Sequence, residues 1–122
     1  MIISIDFDGT ISRGKFPAID GLQPYAKDVI NRLFEAGHYL IINTCRSGEQ
    51  CLEAVNFMLK QGIHFNRVND NHPHQIAQYN NNSRKIYAHV YIDDKNLGGF
   101  PGWLQAEETI NQIELEYKQK AS

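Results

Sequence analysis

The run Ile2-Ile3-Ser4-Ile5 passes without a break into Asp6-Phe7-Asp8-Gly9-Thr10, and this junction limits the possible folds more than any other stretch of the chain. A continuous apolar run of this length suits a strand buried on both faces of a parallel sheet. Strand side chains alternate, so Asp6 and Asp8 leave on one side while Phe7 points the other way, into packing. Gly9 permits a sharp turn and brings backbone N–H groups toward whatever lies over the strand end. Two acids at the edge of a buried strand are costly to fold unless something positive sits between them.

Taken in order, the remainder supplies the partners such a strand needs. Ile11 to Gly21 has no clear periodicity, and its Gly and Pro content reads as a loop. Pro24 suits a first helical turn, and Tyr25, Ala26, Val29, Ile30, Leu33 and Phe34 follow at helical spacing until Gly37 stops the helix. His38 to Thr44 is a second apolar strand that ends in polar groups. Ser47 with Gln50 resembles a capping box for a helix that carries Leu52, Val55, Met58 and Leu59 on one face and ends at Gly62. Phe65 to Val68 is a short third strand. Asn69 to Ala88 is polar, with a brief helix at Pro73–Tyr79, and His89 to Asp93 is a fourth strand. After the breakers Gly98, Gly99, Pro101 and Gly102, a last helix carries Ala106, Ile110, Ile113 and Tyr117. Strands alternating with helices predict one α/β domain over residues 1–122, a three-layer sandwich with a central parallel sheet of Rossmann type.

Composition narrows the setting. A chain of 122 residues is long enough for a single core and too short for two. Its net charge of -2 gives no electrostatic case for a nucleic-acid or membrane partner. Asp6 and Asp8 interrupt the N-terminus too early for a signal-peptide core, and no segment has the length to span a bilayer. Cys45 and Cys51 lack Cys-x-x-Cys spacing and read as reduced thiols, so the expected location is the cytoplasm. His64, His72 and His74 match no usual zinc spacing and read as surface residues.

The polar residues fall at one edge of the sheet. The first strand ends in Asp6 and Asp8, the second in Asn43-Thr44 and the fourth in Asp93-Asp94, and ligands collect outside the carboxyl ends of such strands. Four carboxylates in one crevice raise each other's pKa and repel unless a cation joins them. Oxygen ligands with open positions favour magnesium.

In this order the motifs resemble those of the haloacid dehalogenase-like (HAD) hydrolases. Asp-Phe-Asp-Gly-Thr looks like the first motif, Thr44 is similar to the second, Lys85 ahead of the fourth strand to the third, and Asp93-Asp94 to the acidic fourth. The resemblance implies a Mg²⁺-dependent phosphatase in which Asp6 is the nucleophile and forms an aspartyl-phosphate, while Asp8 is the general acid and base. It implies a metal held by Asp6, the main-chain carbonyl of Asp8, and Asp93 or Asp94. Thr44 and Lys85 would stabilise the phosphoryl group, with Gly9, Thr10, Cys45 and Arg46 also at the substrate. Protonation of Asp8 is expected to be favoured by the neighbouring carboxylates. A receiver-like phospho-acceptor, with Asp70 after the third strand, and a phosphate-binding module without turnover are the alternatives. Family members take specificity from a cap inserted after the first motif or before the acidic pair. Here the intervals Ile11 to Gly21 and Asn69 to Ala88 are too small for a domain, which implies a capless member with an open crevice. The expected partners are a small phosphorylated substrate and a second copy of the chain, with Phe16, Phe100 and Trp103 available for such a contact.

Overall fold

A computed structural model describes residues 1–121 of the chain. The N-terminal run forms β1 (Ile2–Ile5), every residue of which is buried. It lies between β4 (Tyr39–Ile42) and β6 (Val90–Ile92), and β5 (Arg67–Val68) flanks β4, giving a four-stranded sheet in the order β5-β4-β1-β6. All three pairings are parallel, with Ile5 level with Ile42 on one side and with Ile92 on the other. The strand ends carrying the acids therefore share one edge.

The helices are α1 (Ala26–Glu35), α2 (Gly48–Gln61), α3 (Pro73–Tyr79) and α4 (Trp103–Ala121). The steps β1 to β4 to β5 run one way across the sheet, so right-handed crossovers place α1 and α2 on one face. The return from β5 to β6 runs the other way and places α3 on the opposite face. Packing agrees with this. Ile3, Ile5, Leu40, Ile42 and Ile92 share a core with Val29, Ile30 and Leu33 of α1, Ala54 and Met58 of α2, and Trp103, Ala106 and Ile110 of α4. Each Val, Ile, Leu or Met side chain among these stabilises the fold by about 1.5–3 kcal/mol when fully buried. The opposite face has only a small cluster of Ile2, Ile41 and Ile86. The three layers are thus unequal, and the thin one covers the side of β1 that carries Ser4 and leads to Asp6.

Several local expectations are corrected. The interval Ile11 to Gly21 is not a plain loop: β2 (Ser12–Arg13) pairs antiparallel with β3 (Gly21–Leu22), closing a hairpin beside the site. Two-residue strands are too short to leave a periodic signal. Helix α1 begins at Ala26. Tyr25 precedes it in a left-handed conformation (φ 63°) and is exposed, so neither it nor Pro24 lies inside the first turn. The helix closes at Gly37 (φ 93°), whose N–H donates to the Phe34 carbonyl while His38 N–H donates to that of Leu33. Ser47 stands at the start of α2 but makes no side-chain capping bond. Leu52 and Leu59 are exposed, because α2 turns Ala54 and Met58 to the sheet, with Phe57 partly buried beside them. At about 100° per residue, Leu52 and Leu59 fall on the far side of the helix. Among the described residues no helix is long and apolar enough to cross a membrane.

Candidate active site

The turn after β1 is wound around one carbonyl. Phe7 O accepts the N–H groups of Thr10 (3.3 Å), Ile11 (2.9 Å) and Ser12 (3.0 Å), while the Phe7 ring is fully buried and meets Phe57 edge-on. Gly9 is required here twice over. Its φ of 81° suits glycine, and a Cβ at this position would collide with the Asp94 carboxylate. Its N–H donates to Ser12 O (3.1 Å) inside the turn, so the expectation that this group faces substrate is not met.

Thr10 is corrected in the same way. It is fully buried and works as a tie. Its hydroxyl donates to Asp6 Oδ2 (3.1 Å) and accepts the Asp94 N–H (3.1 Å). Its carbonyl accepts Trp103 Nε1–H (2.8 Å). One residue thereby joins the end of β1, the end of β6 and the start of α4. Trp103 is a core residue and not a surface contact; Phe100 packs edge-on against it at 5.4 Å.

Asp6, Asp93 and Asp94 converge. One carboxylate oxygen from each lies within 4.8 Å of the others, and all three residues are half-buried. Burial pushes the Asp6 carboxyl up to about 7, with the negative charge of Asp93 and the hydrogen bond to Asp94 adding to the effect, while the Thr10 hydroxyl opposes it. The donor set is hard oxygen, and a cation bound there would remove the repulsion that raises Asp6.

Asp8 lies in a different environment from the one expected. Its side chain is outside this cluster and faces Arg46, which donates from Nε to Oδ2 (2.8 Å) and from Nη2 to Oδ1 (2.7 Å). The Arg46 side chain is completely buried. It also donates to the carbonyls of Pro17 (3.0 Å) and Gln50 (3.3 Å), and it lies between the rings of Phe7 (5.2 Å) and Phe16 (5.0 Å). The hydrogen bond to Asp8 holds the guanidinium above its ordinary pKa. Arg46 is therefore the partner of Asp8 rather than a free phosphate ligand, and carboxylate crowding falls on Asp6 instead of Asp8.

Thr44 is held by Asn69, which accepts its N–H (2.8 Å) and donates to its carbonyl (2.9 Å) from a left-handed backbone. The Thr44 hydroxyl accepts Arg46 N–H (3.1 Å). A cavity of about 450 Å³ is lined by Asp6, Asp8, Phe16, Thr44, Cys45, Arg46, Asp93, Asp94 and Lys95. Lys85 does not line it. This exposed side chain lies over the Tyr91 ring (5.5 Å) in a second cavity, of about 320 Å³, on the thin face of the sheet. Asp6 and Asp93 line both spaces.

The chain is similar to a conserved protein from Bacteroides thetaiotaomicron, with 35% identity and a TM-score of 0.82 over 92% of this chain and 90% of that one. The chain belongs to that protein's family. No protein-family model and no curated protein matches it.

The expected positions of Asp6, Asp8, Thr44, Cys45, Asp93 and Asp94 thus come together around one cavity of this family's fold, Arg46 enters as a buried partner, and Lys85 approaches from behind. Asp70 pairs with Arg67 (2.9 Å) and accepts from Asn82, away from the cavity. Sequence reasoning missed Lys95, Asn69 and the tie through Trp103. Lys95 follows the acidic pair directly, which is the one local signal among them. His72 caps α3 by accepting the His74 N–H and meets the His74 ring edge-on at 6.4 Å, while His64 stacks on Phe34.

Proposed function

We propose that the protein is a Mg²⁺-dependent phosphatase that hydrolyses a phosphate monoester through an aspartyl-phosphate on Asp6. The observation that carries this reading is the convergence of Asp6, Asp93 and Asp94 on one cavity with the Asp6 carboxyl raised to about 7. A carboxyl in that state is a poor nucleophile until its charge is stabilised, and three hard oxygen donors suit the ion that would do so. Asp6, Asp93 and Asp94, with the main-chain carbonyl of Asp8, are the groups that would hold Mg²⁺. When bound, the ion supplies positive charge for Asp6 and for the phosphoryl oxygens.

Asp6 then attacks phosphorus as the ester P–O bond breaks, and the departing oxygen takes a proton from Asp8, which can carry one only when it gives up one of its two bonds to Arg46. In the second step Asp8 takes a proton from water as that water attacks phosphorus, the P–O bond to Asp6 breaks, and inorganic phosphate leaves with the Asp6 carboxylate restored. Both Asp8 oxygens are engaged by Arg46, so proton transfer requires one of these bonds to give way while the other keeps the carboxyl aimed. Thr44, oriented through Asn69 and Arg46 N–H, donates its hydroxyl proton to a phosphoryl oxygen. Lys85 lines the thin-face cavity with Asp6 and lies over Tyr91, so it would have to leave that ring to offset charge at the phosphoryl group.

Release of phosphate from an aryl phosphate, measured with Mg²⁺ and with excess chelator, tests the reading. Metal-dependent release is expected, and equal rates in the two conditions would overturn it.

A further inference from the structure

Phe16 sits in the loop between β2 and β3, lines the same cavity as Asp6 and Thr44, and is 53% exposed. Singly exposed apolar residues are ordinary, but this one lines the cavity that holds the acids, where it would meet whatever enters. The ring is held in place and is not merely loose. Arg46 lies 5.0 Å from its centroid, and Arg46 is fixed by the Asp8 carboxylate and by the carbonyls of Pro17 and Gln50. The hairpin beneath is anchored too. Gln23 Nε2 donates to the carbonyls of Gly9 (3.3 Å) and Ser12 (3.2 Å), and Gln23 N–H donates to Ile11 O (2.8 Å).

We propose that Phe16 is a stacking platform that selects phosphate esters whose leaving group carries a planar aromatic ring. This rests on the phosphatase reading of the same cavity and adds the substrate class. A cation against one face of the ring polarises it and fixes its plane, and the exposed surface is then a rigid π-face. Such a face binds flat rings with little loss of rotamer freedom. The cavity, at about 450 Å³, is of the size that holds a small ligand. An aryl phosphate and a nucleoside monophosphate both supply a planar ring near a phosphate, and they differ by the ribose between them.

Binding of phenylphosphonate and methylphosphonate to the full chain, measured by calorimetry in Mg²⁺, tests the platform without turnover. The wild type is expected to prefer phenylphosphonate by about tenfold, as stacking on an exposed ring gives. Phe16→Leu should reduce that preference to near one, and Phe16→Tyr should retain it. Equal affinity for the two phosphonates in the wild type, a preference that survives Phe16→Leu, or binding of neither compound overturns the proposal. A kinetic arm compares phenyl phosphate, adenosine 5′-monophosphate and glycerol phosphate. A loss of kcat/KM in Phe16→Leu that is larger for either ring-bearing ester than for glycerol phosphate supports the platform and identifies the source of the ring. A loss equal on all three shows that Phe16 acts only by holding Arg46, and overturns it. Absence of all hydrolysis would end the phosphatase reading while the phosphonate affinities still decide the platform.

Discussion

Asp6 and Asp8 stand two positions apart and meet opposite surroundings: one is crowded by Asp93 and Asp94, the other is gripped by a guanidinium. That difference assigns separate outcomes to their substitution. On the proposed chemistry, Asp6→Asn removes both the nucleophile and one metal ligand, and phosphate release should fall to background. Asp8→Asn should retain Mg²⁺ binding and lose acid–base assistance, lowering the rate by ~10²–10⁴-fold. Near-normal turnover by Asp6→Asn would exclude covalent catalysis at that residue. The four aspartates were legible in the sequence because each ends a strand where apolar residues stop. Arg46 was legible as a cation close to Thr44 but not as the partner of Asp8, since the pairing depends on how the chain enters α2 after β4. Thr10 misleads for a similar reason. A hydroxyl next to glycine at a strand end looks solvent-facing until the Trp103 indole closes over its carbonyl.

At the scale of elements, the four strands of the sheet and the four helices were readable along the chain from hydrophobic pattern, the order of strands in the sheet was not, and the helix faces only in part. Ile30, Leu33, Met58, Ala106 and Ile110 are buried as the pattern implies, whereas Leu52 and Leu59 are not. A small residue, Ala54, lets α2 approach the sheet and decides the face, and a count of large apolar residues overlooks that. The hairpin β2–β3 was invisible because its strands are two residues long. Helix α4 has a task beyond covering the sheet, for its first residue holds the site turn. Trp103→Phe keeps most of the ring packing but leaves the buried Thr10 carbonyl without its donor. Such a loss costs about 1–3 kcal/mol. The tie from Thr10 runs on to Asp6 and Asp94, so Mg²⁺ affinity, followed by titration, should weaken along with thermal stability. Lower stability with unaltered metal affinity would confine Trp103 to the core.

For the whole molecule, the site opens at one edge of the sheet, beside the hairpin of β2 and β3. Asp6 lines that opening, and stability should report its charge. Asp6 has its folded pKa raised to about 7, above the ordinary carboxylate value, chiefly by burial. The native state therefore holds a proton that the unfolded chain releases, so this contribution is complete below about pH 4 and is lost as pH rises through 7. His38 behaves in the opposite sense. Burial, then the nearby N-terminal amine, lowers its pKa below 6.5, so its contribution is present above pH 6.5 and is lost as pH falls through the lowered value. His72 and His89 are lowered mainly by burial and act in the same direction as His38. A single melting curve mixes these opposing effects, and comparison with Asp6→Asn separates them, because the histidines are common to both proteins. In chelator, the melting temperature of the wild type minus that of Asp6→Asn should fall between pH 5 and pH 7.5. In saturating Mg²⁺ the fall should vanish or reverse, because an ion held by Asp6 stabilises its charged form. Parallel curves for the two proteins in chelator would show that Asp6 is ionised without help, and the electrostatic need for a cation beside it would disappear.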